Sequence, residues 1–128
     1  MTPARGGLAL MVWSCGPGDA ERAATPFVVA QAAAALDLEV EMLFTARSVH
    51  WLLAAQQGTK LGFGSEQLPV RDYLQACADA GVRILACSQA LAARGLGRDA
   101  LASQCAGLGG TVAFVERTQD PRWRALVF

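Results

Sequence analysis

Short apolar runs alternate along this chain with longer segments of helical periodicity. Leu8-Ala-Leu-Met-Val-Trp-Ser14 predicts a first strand, apolar enough to be buried on both faces of a parallel sheet, and Cys15-Gly-Pro-Gly18 the turn after it. Asp19 can cap a short turn through Ala23, and Thr25-Pro26 then supplies an N-cap and a proline at the first helical position. The helix expected from Pro26 to Leu36 has Gln31 as its only polar residue, so it should be buried on more than one side. Leu38 to Phe44 begins with alternation and ends fully apolar, a second strand. Ser48 can then open a helix through Ala55. Gln56 to Leu68 holds Gly58, Gly62 and Gly64 without clear periodicity, which predicts a mobile loop able to shield a site. From Pro69 a helix carries the stripe Val70, Leu74, Cys77 and Ala78, placing Cys77 on the core face. Gly81 ends it, and Val82 to Ala86 forms a third buried strand. Gln89 to Arg94 is helical and closed by Gly95, and Arg98 to Ser103 predicts a short helix. Beyond Cys105 the periodicity is ambiguous. Thr111 to Val115 has strand composition, yet Leu108, Val112 and Val115 also fit a helical face; Arg124 to Phe128 suits a terminal strand.

The order strand, helix, strand, helix, strand, helix predicts one three-layer α/β/α domain over residues 1–128, with a mainly parallel sheet of about five strands. Its crossovers should be right-handed. The outline resembles flavodoxin-like and response-regulator domains. The third strand, however, ends in Cys87 where a phosphoacceptor aspartate would stand, and no acidic cluster after the first strand could hold Mg²⁺.

Composition narrows the classes. With 53% hydrophobic and 17% charged residues the chain is not disordered. Eleven basic residues balance 11 acidic ones with no basic stripe, which argues against nucleic acid as a partner. No apolar run approaches the ~18 residues of a membrane span. Cys15, Cys77, Cys87 and Cys105 form no C-x-x-C pair and His50 is the single histidine, so no metal site is expected. No cofactor is expected either. Gly16-x-Gly18 begins a dinucleotide fingerprint, but Glu21 stands at the third glycine and Pro17 lacks an N–H. Arg5 and the apolar run to Val12-Trp-Ser-Cys15 faintly resemble a lipoprotein signal. That run is shorter than the usual ~7–15 residues, and the thiols suit a reducing cytoplasm.

The chemistry concentrates at Cys87. It falls where a buried strand gives way to a helix, the place where open α/β sheets carry their sites. The unpaired N–H groups of the following helix favour an anion there, so a thiol in that place should ionise more readily than a free cysteine. The bland alternative is a small buried packing residue. Ser88 and His50 are candidate pocket residues near the strand ends, although a lone histidine without a ligand set reads first as a half-buried packing residue.

Cys15-Gly-Pro-Gly-Asp-Ala-Glu-Arg-Ala-Ala-Thr-Pro26, Val40 to Phe44, Val49-His-Trp-Leu-Leu53 and, most specifically, Leu68 to Ser88 carry a resemblance: over nearly its whole length the sequence is similar to the DsrE/DsrF-like proteins. It implies a small cytoplasmic α/β/α subunit that forms trimers or hexamers, in a family with members in sulfur oxidation and in the Tus sulfur relay. A cysteine after the third strand carries sulfur as a persulfide in active members, and Cys87 matches it. The resemblance also implies a helix near Gly110 to Thr118 and a final strand near Arg124 to Phe128. Two positions depart from the family pattern. Cys15 replaces a small hydroxyl residue and is a candidate second thiol, and His50-Trp51 stands where glycine and aliphatic or aromatic residues are usual.

The expected function is therefore sulfur trafficking through a Cys87 persulfide, exchanged with donor and acceptor proteins. The rivals are a non-catalytic oligomeric scaffold and a small-molecule-binding subunit of the same fold. A homo-oligomer is expected, because the helix Pro26 to Leu36 offers no outward charge. Within one chain, the loop Gln56 to Leu68 is the segment long enough to cover that helix instead.

Overall fold

The computed structural model describes residues 5–128. Five strands, β1 (Gly7–Val12), β2 (Glu39–Phe44), β5 (Arg83–Cys87), β6 (Gly107–Gly109) and β7 (Trp123–Val127), form one sheet in the order β6-β5-β2-β1-β7. Every pairing in it is parallel. Helices α1 (Ala20–Ala35) and α2 (Val70–Asp79) cover one face, and α4 (Thr111–Gln119) lies on the other. The short helix α3 (Ser88–Ala92) follows β5 directly. This is the three-layer architecture expected, and the ambiguous C-terminal segments resolve as a helix followed by a strand.

The core follows from strand alternation. Leu10, Val12, Met42, Phe44, Ile84 and Ala86 all point to the α1/α2 face and are fully buried. Phe27 of α1 stacks on Phe44 with ring centroids 5.4 Å apart. Cys77 packs in the same layer with its Sγ 3.7 Å from the Phe27 carbonyl, as its stripe predicted.

Four local expectations are corrected. Pro26 does not begin a helix; it lies inside α1, which starts at Ala20. A mid-helix proline costs about 3 kcal/mol in isolation, and burial of Ala23, Ala24 and Phe27 around it offsets that. Asp19 precedes the helix but turns its carboxylate back to accept the Gly16 N–H at 2.9 Å. Ser48 opens no α-helix; Ala46–Leu52 and Ala54–Gln56 are 3-10 turns. Arg98–Ala100 is likewise a single 3-10 turn.

The largest correction concerns the expected mobile loop. Residues Lys60–Phe63 (β3) and Glu66–Pro69 (β4) pair as an antiparallel hairpin that packs on α1. Leu61 is fully buried, Tyr73 Oη donates to its carbonyl, and the Gly64 N–H donates to Glu21 Oε1 at 3.0 Å. With four residues per strand and one deeply buried apolar side chain, the hairpin has almost no period for a sequence pattern to reveal. Part of α1 is thus covered from within the chain, while Val28 and Leu36 remain exposed.

Candidate functional site

The position of Cys87 is set by the turn that launches β5. Gly81, at φ +86°, ends α2, with its N–H donating to Ala78 O at 3.0 Å and the Val82 N–H to Cys77 O at 2.9 Å. That six-to-one closure needs a left-handed residue, which glycine supplies without strain. The chain reverses into β5, whose register on β2 pairs Phe44 with Ala86. Cys87 is the last strand residue and Ser88 the first of α3. Alternation turns Cys87, with Leu85, toward the face that carries α4.

On that face a cleft of about 200 Å³ is lined by Cys87, Ser88, Gln89, Gly110, Thr111 and Val112. The thiol therefore lies between the start of α3 and the start of α4. Gly110 precedes α4 and brings no side chain to cap it. The first N–H groups of α4 thus stay available to a negatively charged group in the cleft. Cys87 is only 3% exposed, so access is narrow. The α4 wall was not among the sequence candidates, although Gly109-Gly110-Thr111 is a loop-to-helix signal in retrospect. The same holds for β6, whose Gly109 pairs with Cys87. A Cβ on Gly109 would come within 3.1 Å of Leu85 Cβ and 3.2 Å of Leu43 Cδ1, so close strand packing selects glycine there.

The other thiols stand elsewhere. Burial pushes Cys77 and Cys105 up to about 11, which keeps both protonated and poorly nucleophilic near neutral pH. Cys15 is tied into the loop after β1. Its N–H donates to Ser48 Oγ at 3.0 Å, and its carbonyl accepts from Ser48 Oγ at 2.7 Å and from Trp51 Nε1 at 3.1 Å. Its Sγ lies 3.5 Å from the same hydroxyl. Strand β2 separates β1 from β5. Cys15 lies in the loop beyond β1 and Cys87 at the end of β5, and both are free thiols.

Ser88 lines the Cys87 cleft and His50 does not. His50 meets Trp51 edge-on at 4.9 Å. Burial, and then the charge of Arg94, hold its pKa below the ordinary 6.5. The folded state thus favours the neutral imidazole, and the unfolded chain binds more protons just below that pH. Stability is then fully present above about 6.5 and falls as pH drops through the lowered folded value. Thermal midpoints measured across this window should decline for the wild type, and His50→Gln should flatten the slope.

Arg47 packs closely on the turn after β1: a Cβ on Gly16 would meet its Nε at 2.6 Å. Among the described residues no group of three or more His, Cys, Asp or Glu could hold a metal ion. No helix among them is long and apolar enough to cross a membrane.

The model of the DsrE/DsrF-like family matches residues 9–128. The chain belongs to that family. Its match includes β5, Cys87 and the α4 wall of the cleft. No curated protein matches the sequence. Among solved structures, the chain is similar to the ychN protein from E. coli at 18% identity and TM-score 0.73, covering 95% of this chain and 99% of that one. It is also similar to MTH1491 from Methanobacterium thermoautotrophicum, a protein of unknown function, at 18% identity and TM-score 0.69 over 96% and 99%. Both likenesses are of fold.

Proposed function

We propose that this DsrE/DsrF-like protein traffics sulfur as a persulfide on Cys87. The observation that carries the reading is the placement of that thiol, at the end of β5 in a cleft bounded by the starts of α3 and α4. In the transfer step the Cys87 thiolate attacks the outer sulfur of a donor persulfide, R–S–SH. A bond forms between Cys87 Sγ and that sulfur, the R–S bond breaks, and the donor leaves as the thiolate RS⁻. The product is Cys87–S–SH, and the same exchange run toward an acceptor thiol regenerates the cysteine. No net oxidant or reductant is consumed. The uncapped first N–H groups of α4, beside the cleft, can hydrogen-bond an anion that enters it. Donor and acceptor proteins are the partners this reading requires, and its thiols suit the reducing cytoplasm. Incubation with a low-molecular-weight persulfide followed by peptide mass spectrometry tests it. One added sulfur atom on the Cys87 peptide supports the reading. An unmodified Cys87 peptide favours the non-catalytic scaffold.

We further propose a homo-oligomer, trimer or hexamer. Family membership supports this, as do Val28 on α1, Leu36 just past its C-terminal end, and Phe63 and Leu68 on the hairpin, all of them between 44% and 59% exposed. Such apolar side chains in one region are uncommon on a monomer. Light scattering should return a multiple of the chain mass, and Val28→Asp should lower it. A wild-type monomer at micromolar concentration would exclude the assembly.

A further inference from the structure

Helix α4 forms one wall of the Cys87 cleft, yet none of its residues is fully buried. Phe114 packs partly on the core, and hydrophobic contact alone gives this nine-residue helix a weak seat. Polar contacts hold its far end. Arg117, in the last turn, donates from Nη2 to Glu41 Oε1 at 2.7 Å and from Nε to Glu41 Oε2 at 3.2 Å, a two-pronged pairing. Its guanidinium also lies 4.1 Å from the centre of the Trp123 ring, so it is clasped between β2 and β7. Glu41 is a carboxylate on the face of the central strand β2, with a side chain only 12% exposed. A group so placed is costly unless paired. Arg83 of β5 reaches it at 3.5 Å from the other side, and α4 supplies the closer partner.

We infer that Arg117 is a positioning residue for Cys87: through Glu41 and Trp123 it fixes α4 on the sheet, so that Gly110, Thr111 and Val112 close over the thiol. The pairing resists axial and rotational slip of the helix, because a bidentate guanidinium–carboxylate contact tolerates little displacement. Arg117 does not line the cleft, so its effect on Cys87 is transmitted by the helix alone.

This inference rests on Cys87 being the reactive thiol, and the experiment separates the two claims. Wild type, Arg117→Gln, Arg117→Lys and Glu41→Gln are labelled with iodoacetamide and with a bulky dye maleimide, and rates are read peptide by peptide. In the wild type Cys87 should react with the small reagent and resist the large one. Arg117→Gln and Glu41→Gln should raise the bulky-to-small rate ratio at Cys87 about tenfold, the scale of one lost charge-assisted hydrogen-bond pair. Cys77 and Cys105 should be unmoved, and Arg117→Lys should restore part of the selectivity. A merely structural role would lower the melting temperature and leave the ratio alone, or accelerate all four thiols together; either result overturns the inference. Glu41→Gln keeps side-chain volume but removes the charge and one of the two acceptor oxygens of the pair, so it remains informative should the Arg117 variants fold poorly. An inert Cys87 in the wild type would instead overturn the sulfur-carrier reading itself.

Discussion

Cys87→Ser should abolish sulfur loading and remove the fast phase of thiol labelling, leaving slow reaction at the other three cysteines. The hydroxyl occupies nearly the same volume, so the cleft is kept while the nucleophile is lost. A serine hydroxyl does not ionise near neutral pH and cannot carry sulfur as a persulfide. The fold should survive, because burying the hydroxyl costs about 1–3 kcal/mol at most when some hydrogen bonding is retained. Cys87→Ala is the companion variant, free of that desolvation cost and equally unable to carry sulfur. Mass spectrometry after persulfide treatment, read beside a thermal melt, checks both. Persistent sulfur incorporation in Cys87→Ser, at Cys15 for instance, would move the chemistry to another thiol. The expected contrast is sharp: Cys77 and Cys105 are held near 11 by burial, and Cys15 is engaged with Ser48.

How much of this was legible in the sequence depends on how each residue's environment is made. Cys87 could be placed because β5 is a continuous apolar run between Gly81 and a helical segment, and a local pattern suffices to position a strand end. Its cleft could not be drawn so well. One wall comes from Gly110 to Val112, far along the chain, and only the parallel pairing of β5 with β6 brings that wall close. A three-residue strand of sequence Gly-Leu-Gly carries almost no propensity or period. The same limit hid Glu41 and Arg117. Glu39-Val-Glu41 signals which side chains leave the α1 face, not that an arginine far along the chain will return to meet one. The order of the hairpin β3–β4 comes from packing on α1 rather than from its own pattern. Ser48 stands ahead of an apolar segment, which in sequence is an ordinary cap signal. Here its hydroxyl serves Cys15, 33 residues away.

That Ser48–Cys15 tie leads to the largest expected loss of stability, at Trp51. Its side chain is 1% exposed, the bulkiest of the fully buried ones, and its Nε1–H donates to the Cys15 carbonyl. Trp51 therefore fills the space beneath the 3-10 segment Ala46–Leu52 and also joins it to the loop after β1. Its own carbonyl accepts from Gln57 Nε2 at 3.0 Å, which extends the tie to the start of the hairpin. Trp51→Ala should cost about 3–5 kcal/mol, the usual range for emptying a large aromatic site. Trp51→Phe separates the two contributions. It keeps most of the apolar body and loses the donor, while Ser48 Oγ still satisfies the Cys15 carbonyl. Beyond a modest cavity term, its extra cost should therefore be the net value of one hydrogen bond, about 0.5–1.5 kcal/mol. Urea unfolding at constant slope measures both variants. The 3-10 segment also packs against β5 and α3. Trp51→Ala should consequently loosen Cys87 toward bulky reagents, and Trp51→Phe should not. A Trp51→Ala protein as stable as wild type would mean that this loop is not part of the cooperative core.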